Sequence, residues 1–87
     1  MTTESLLEFP CEIPIKVFGR NEDAFRGAVV EIVRRHFDEI GAATIRERPS
    51  RADTYLSMTV TVHAESRAQI DACYRDLTAH ERIMMVL

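Results

Sequence analysis

Residues 54–63, with the sequence TYLSMTVTVH, decide the fold of this chain. Leu56, Met58, Val60 and Val62 are apolar and alternate with residues that are mostly polar, which is the period of a strand with one buried side. Threonine and tyrosine, which favour strands, fill several of the intervening positions. The stretch therefore predicts a β-strand with one buried and one exposed face.

A helix and a further strand are predicted after this stretch. Ser66 and Gln69, three residues apart, have the spacing of a capping box. The apolar stripe of a helix follows, at Ile70, Cys73, Tyr74 and Leu77. Residues 82–87 (RIMMVL) then predict an apolar terminal strand.

The preceding half of the chain repeats the pattern of a strand followed by a helix. In residues 12–18, apolar residues alternate with others, which predicts strand one. Asn21 is the predicted N-cap of helix one, over residues 22–37. Its apolar stripe consists of Phe25, Ala28, Val29, Ile32, Val33, His36 and Phe37. Residues 42–48, after Gly41, predict a short strand two, closed by a hairpin loop at residues 49–53.

The order of these elements, βαββαβ, is that of the ferredoxin-like split βαβ fold in the α+β class. Right-handed crossovers place both helices on one face of a four-stranded antiparallel sheet with strand order 4-1-3-2. An 87-residue chain builds one core, so we predict a single domain over residues 10–87 after a polar N-terminal segment, residues 1–9.

One face of this sheet has no helical cover, and strand periodicity predicts which side chains lie on it. They are Lys16, Phe18, Arg46, Arg48, Tyr55, Thr59, Thr61 and His63. If Ile83 and Met85 point inward, Arg82, Met84 and Val86 also lie on this uncovered face. Three interpretations stay open: a solvated face, a self-association surface, or a surface for anions or RNA.

The charge of the chain bears on the last of these interpretations. The formal net charge is −3, and of eleven basic residues only Lys16 is a lysine. An acidic chain is a poor general binder of nucleic acid. RNA-recognition domains of this fold need stacking aromatic residues on the third strand. Residues 55–60 contain only Tyr55, so we expect no nucleic-acid partner.

No residue pattern predicts catalysis, a metal site or a cofactor. His36, His63 and His80 lie in separate elements without the spacing of zinc ligands. Cys11 and Cys73 have neither C-x-x-C spacing nor a nearby base, so neither a disulfide scaffold nor a catalytic thiol is expected. The N-terminus lacks a basic and apolar leader, and no long apolar run occurs, which predicts a cytoplasmic protein without membrane contact.

The connection from strand one to helix one is a candidate site for a small ligand. It consists of Gly19, Arg20 and Asn21, where backbone N–H groups at a helix N-terminus can receive an anion. With one glycine it is not a glycine-rich phosphate loop, and an ordinary turn is the alternative interpretation.

Four stretches in this order resemble the YbeD-like family of small uncharacterised bacterial proteins. They are Leu6-Leu7-Glu8-Phe9-Pro10, Ile15-Lys16-Val17-Phe18-Gly19, residues 49–57 with Pro49-Ser50 and Tyr55-Leu56-Ser57, and Met85-Val86-Leu87. The resemblance implies a ferredoxin-like fold similar to regulatory ACT domains, which bind small metabolites near strand one and helix one, often across a dimer interface. It implies no catalytic residues.

Together these observations predict a non-enzymatic regulatory or interaction module that senses a small metabolite or binds a protein partner. The alternative is an RNA-binding or polyanion-binding domain that uses the open basic face, and a small enzyme using Cys11 or a histidine is a third hypothesis. The uncovered face and unpaired strand edges also predict a homodimer.

Overall fold

The computed structural model describes residues 8–38 and 44–87 of the chain. The elements follow the predicted order: β1 (Cys11–Arg20), α1 (Asp23–His36), β2 (Ile45–Pro49), β3 (Tyr55–Ala64), α2 (Arg67–Ala79) and β4 (Ile83–Val86). The α+β ferredoxin-like fold predicted from periodicity is confirmed.

The four strands form one antiparallel sheet in the order β2-β3-β1-β4. The two central strands pair along their whole length, from Cys11 opposite Ala64 to Arg20 opposite Tyr55. The shorter strands β2 and β4 form the two edges. The predicted order 4-1-3-2 is the same order from the other edge and is confirmed.

The core lies between one face of this sheet and the two helices. Ile15, Val17, Val60 and Val62 are fully buried on the strands, as the alternation predicts. The helices contribute Phe25, Val29, Ile32, Val33, Ile70, Cys73 and Leu77 to the same cluster. None of the described polar or charged residues is buried, so apolar packing alone fills this layer. Phe9, which the sequence analysis places in the N-terminal segment, also packs against this core.

Gly19 in β1 allows α1 to approach the sheet closely. A Cβ atom on Gly19 would overlap Cδ1 and Cε1 of the Phe25 ring, closer than carbon atoms can approach without a bond. The absence of a side chain at Gly19 therefore makes room for the ring of Phe25, which is fully buried.

The prediction for β4 was wrong at two residues. Ile83 is buried as expected, but Met85 is 54% exposed, and Val86 packs partly against the core. The cause is a β-bulge: Phe18 pairs with Met85, whereas Gly19 pairs with Ile83, so Met84 is an extra residue. Because the bulge shifts the alternation by one, Met84 and Met85 both lie on the uncovered face and Val86 lies on the core side.

Several predicted boundaries need correction, and Gly19 and Arg20, predicted in a connecting turn, are the last two residues of β1. The N-cap of α1 is Glu22, whose side chain makes no capping hydrogen bond. Asn21, the predicted cap, instead uses its side-chain amide to contact Asp53 O and Arg26. By contrast, the cap of α2 is as predicted, since Ser66 Oγ accepts the backbone N–H of Gln69 at 3.2 Å. Strand β2 extends through Pro49, where a missing N–H is tolerated at a sheet edge, and it begins at Ile45. Positions 42 and 43 of the predicted strand lie outside the described residues.

Candidate functional site: the open face of the sheet

The face of the sheet opposite the helices is the candidate functional surface, and we call it the open face. Strand register and burial place these residues on it: Glu12, Pro14, Lys16, Phe18, Arg20, Arg46, Arg48, Tyr55, Ser57, Thr59, Thr61, His63, Met84, Met85 and Leu87. The register therefore brings together most of the residues predicted for this face. The sequence analysis missed Glu12, Pro14, Arg20, Ser57, Met85 and Leu87 there, and Arg82 and Val86 lie elsewhere.

An apolar hollow lies on the open face between β3 and β4. Its lining residues are Phe18, Gly19, Tyr55, Met84 and Met85, around a volume of about 340 Å³. Met84 is 63% exposed and Tyr55 is 47% exposed, although both side chains are large and largely apolar. The bulge in β4 creates this hollow, because it turns two consecutive methionines to the same side.

A second hollow, which we call the basic hollow, lies beside the first. Its lining includes Lys16, Arg48 and Ser50, around about 300 Å³. Phe18 and Tyr55 line both hollows and so form the wall between them. Lys16 Nζ lies 5.7 Å from the centroid of the Phe18 ring, which is within range of a cation–π contact.

The cations of the open face are not neutralised by neighbouring acids. Among the described residues, Lys16, Arg20, Arg46 and Arg48 make no ion pair. The only described acidic side chain on this face is that of Glu12, which lies at the opposite end of β1, with Oε1 3.4 Å from Nδ1 of His63. The surroundings of the basic hollow are therefore positively charged, in a chain whose net charge is −3, whereas Glu22 and Glu81 lie with Arg20 and Arg82 beyond the apolar hollow.

Arg82 does not belong to this group, although the sequence analysis placed it there. It precedes β4, and its Nη1 donates to Oε1 of Glu22 at 2.7 Å. The partner is the N-cap residue of α1, so this arginine connects the start of β4 to the start of that helix. Its charge is paired at the rim of the sheet.

At the predicted ligand turn, Gly19, Arg20 and Asn21, the polar groups of Asn21 are used within the protein. The backbone N–H of Asn21 donates to Thr54 O at 2.9 Å, and its Nδ2 donates to Asp53 O at 3.1 Å. Asn21 Oδ1 accepts Nη2 of Arg26 at 2.6 Å. These contacts join the start of α1 to the β2–β3 hairpin, and Arg20 extends onto the open face as the partner of Tyr55.

The three histidines have separate partners. His36 Nε2 lies 2.7 Å from Oδ2 of Asp76, His63 faces Glu12, and Nδ1 of His80 accepts the backbone N–H of Arg82. Within residues 8–38 and 44–87, no group of three histidine, cysteine, aspartate or glutamate side chains is placed to hold a metal ion.

The two cysteines are free thiols with different exposure. Cys11 is half-buried at the start of β1, whereas Cys73 is fully buried on α2. Burial, with a further contribution from the charge of Asp76, raises the pKa of the Cys73 thiol to about 11. At neutral pH this residue is a protonated core side chain. Neither helix in the described part of the chain is long and apolar enough to cross a membrane.

Comparison with known proteins places the fold in context. The solution structure of protein HP0495 from H. pylori superimposes with a TM-score of 0.77 at 11% identity, covering 93% of this chain and 85% of that one. At such low identity, the likeness shows a shared fold.

Closer relatives share the sequence over almost its whole length. A UPF0250 protein of Paraburkholderia phytofirmans is 44% identical over 84 residues, which cover 97% of this chain and 94% of that protein. A UPF0250 protein of Nitrosomonas europaea is 40% identical over 87 residues and covers both chains fully. The family model described as "Protein of unknown function (DUF493)" matches residues 4–87. The resemblance found in the sequence is thus confirmed, and the chain belongs to this family, the YbeD-like proteins of unknown function.

Proposed function

We propose that this protein is a non-enzymatic interaction module that binds a protein partner through the open face. The observation that carries the proposal is the apolar hollow bounded by Phe18, Tyr55, Met84 and Met85, on the side of the sheet without helices. Contiguous apolar surface on a small protein marks a binding site more often than chance placement does.

A comparison within the open face supports this interpretation. Thr59 and Thr61, at the centre of β3, are the polar strand-forming residues expected on a solvated face. At the other end of the same face, the two exposed methionines lie beside two aromatic rings. Methionine is flexible and polarisable and adapts to different apolar partners. Exposure to solvent alone therefore explains the threonines of β3 but does not explain the exposed methionines of β4.

Affinity capture from a bacterial lysate tests the proposal with three versions of the chain: wild type, Met84→Glu and Ala68→Glu. Ala68 is exposed on α2, so its variant adds the same charge away from the hollow. We expect a protein captured by the wild type and by Ala68→Glu to be lost with Met84→Glu, because a charge in the hollow would have to be desolvated on binding. Equal capture by all three proteins, or none by any of them, contradicts the proposal. Circular dichroism checks that the variants fold.

A polyanion such as single-stranded RNA is the second candidate partner. The specific observation is that Phe18 and Tyr55 lie on the two central strands, among Lys16, Arg46 and Arg48, which pair with no described acid. Aromatic rings among cations are the usual means of binding unpaired bases. Binding of this kind weakens steeply with salt, since each contacted phosphate releases counterions. Titration of a labelled RNA oligonucleotide at about 50 mM salt decides the matter, because no binding at this low ionic strength removes the candidate.

Sensing of a small metabolite, as in ACT domains, is a separate hypothesis about regulation. A metabolite that binds only the folded protein raises the melting temperature by mass action. A thermal-shift screen of amino acids and other small metabolites tests this, and an unchanged melting temperature throughout argues against the hypothesis for those compounds.

A further inference from the structure

The arrangement of the two hollows defines what kind of segment the open face accepts. In an extension that rests on the function proposed above, we infer that the partner presents an extended segment with a bulky apolar side chain and, two residues along, a carboxylate. The apolar side chain occupies the apolar hollow, and the carboxylate occupies the basic hollow.

The shared wall of the two hollows is the first argument. Phe18 and Tyr55 line both, so a ligand in one hollow lies directly beside the other. The chemistry changes across this wall, from Met84 and Met85 on one side to Lys16 and Arg48 on the other. A segment that crosses the wall therefore meets apolar surface and positive charge in turn.

The adjacency of the hollows limits the spacing in the segment. The two hollows share one wall, formed by Phe18 of β1 and Tyr55 of β3, so a segment that fills both crosses this wall once. In an extended peptide, alternate side chains point to the same side and are about 7 Å apart. Two side chains of one extended segment that enter neighbouring hollows are therefore alternate ones, with i and i+2 the nearest such pair, because adjacent side chains point in opposite directions.

Charge complementarity is the third argument. The described residues around the basic hollow leave Lys16 and Arg48 without an ion pair, whereas Arg20, on the other side of the apolar hollow, lines a mixed cleft with Glu22, Glu81 and Arg82. A carboxylate between a lysine and an arginine makes charge-assisted hydrogen bonds, which are stronger than neutral ones. When an apolar side chain of the segment fills the neighbouring hollow, water is displaced from beside this contact, which strengthens it.

A second copy of this chain supplies the wrong charges for the same surface. In a two-fold contact between open faces, each copy brings its own Lys16 and Arg48, and the face's only described acidic side chain, Glu12, lies at the far end of β1. Like charges brought together at an interface oppose binding. RNA carries the required negative charge, but its polar bases are a poor match for the methionines.

A random peptide library displayed on phage tests the inference directly. The library is panned on the immobilised wild type and depleted on Met84→Glu, so that sequences depending on the apolar hollow are retained. We expect the enriched peptides to contain a leucine, methionine or aromatic residue, with aspartate or glutamate two positions before or after it. Enrichment of basic or neutral peptides, or failure to enrich any sequence, overturns the inference.

A charge exchange with a matched control sharpens the test. The double variant Lys16→Glu/Arg48→Glu removes both cations of the basic hollow. Arg34→Glu/Arg75→Glu makes the same change of net charge at exposed helix positions that form no ion pair with the described residues. Fluorescence anisotropy measures the affinity of the best enriched peptide, which should fall about ten-fold or more for the first variant and less than about two-fold for the second. A peptide with lysine in place of its acid should prefer the first variant, and equal losses in both variants overturn the inference.

These outcomes separate the inference from the function on which it rests. If Met84→Glu loses a captured protein while the enriched peptides lack an acid, the proposed function stands and the inference fails. If Met84→Glu loses nothing, both fail. Displacement of the peptide by an RNA oligonucleotide, with sensitivity to Arg46→Glu, supports the polyanion candidate and also overturns the inference.

Discussion

The two faces of one sheet follow different rules in this protein, although their residues alternate along the same strands. On the covered face, Ile15, Val17, Met58 and Val60 are at most 1% exposed and meet only apolar neighbours. On the open face the side chains differ in kind: Lys16 is charged, Phe18 is aromatic and Thr59 is polar. Burial of the covered-face side chains stabilises the folded state, since each fully buried side chain of this size contributes about 1.5–3 kcal/mol to the free energy of unfolding. The fold therefore constrains the covered face strongly and leaves the open face free to differ.

The largest effect is expected at Phe25, the largest fully buried side chain of the covered layer. Phe25→Ala removes most of that side chain and leaves a cavity, at a cost of about 3–5 kcal/mol in the free energy of unfolding. Phe25→Leu retains more volume and should lose about 1 kcal/mol. Met84→Ala, on the open face, should change stability by less than about 0.5 kcal/mol. Urea denaturation measures all three, and similar losses at Phe25 and Met84 would break the comparison.

The buried thiol of Cys73 predicts a loss of stability at alkaline pH. Its pKa is about 11 in the folded protein because of burial, above its ordinary value of 9.0, so the folded state holds the proton more tightly than the unfolded state. The resulting stabilisation is complete below pH 9 and disappears as the pH rises to 11. Two pKa units correspond to about 2–3 kcal/mol.

The matched variant for this prediction is Cys73→Ala. Urea denaturation at a series of pH values should show a shallower decline between pH 9 and 11 for the variant than for the wild type. Burial, with a further contribution from the charge of Cys73, also raises the pKa of Tyr74, so the loss of that charge in the variant reduces the Tyr74 decline as well and adds to the same difference. Identical slopes would show that the thiol contributes nothing to the pH dependence.

Two glycines offer a matched pair across the contact between the sheet and α1. Gly19→Ala forces a Cβ atom against the ring of Phe25 and should cost about 1–3 kcal/mol. Gly27 lies on α1, and a Cβ atom added there would have nothing within 4 Å, so Gly27→Ala should gain about 0.5–1 kcal/mol from helix propensity. Melting temperatures of the two variants should therefore move in opposite directions. A shift in the same direction contradicts the close packing at Gly19.

Sequence periodicity predicts the covered face of the sheet better than the open face. Alternation over residues 54–63 places β3 correctly, because burial on one side imposes a period of two. The same reasoning fails in β4, where Ile83, Met84, Met85 and Val86 are all apolar and contain no local sign of a bulge. Asn21 fails as a cap because the guanidinium of Arg26 binds its side chain, a contact that propensity does not include. The apolar hollow joins residues of three strands, so it becomes visible only once their register is known.

The smallest effect on stability, and the last prediction, concerns self-association through the edges of the sheet. Strand β2 carries Arg46, Arg48 and Pro49, which are features that protect an edge, whereas β4 is uncharged. Lys16 and Leu87 exchange two backbone hydrogen bonds, so in an antiparallel ladder the N–H of Val86 points away from β1 toward the free edge. We therefore expect a homodimer that pairs β4 with β4 and leaves the hollows open.

Light scattering over a concentration series tests this homodimer, since the mass should rise from one chain of 10.0 kDa to two. Amide exchange at Val86 should slow over the same range, while that of Arg51, in the hairpin loop, should not change. Tyr55→Glu and Met84→Glu should leave the dimer intact, because their new charges lie on the open face and not at the edge. A constant mass of one chain refutes self-association. If these two variants dissociate the dimer, the open faces stack instead. The cations of two copies must then lie offset from each other, and the charge argument for an acidic partner no longer holds.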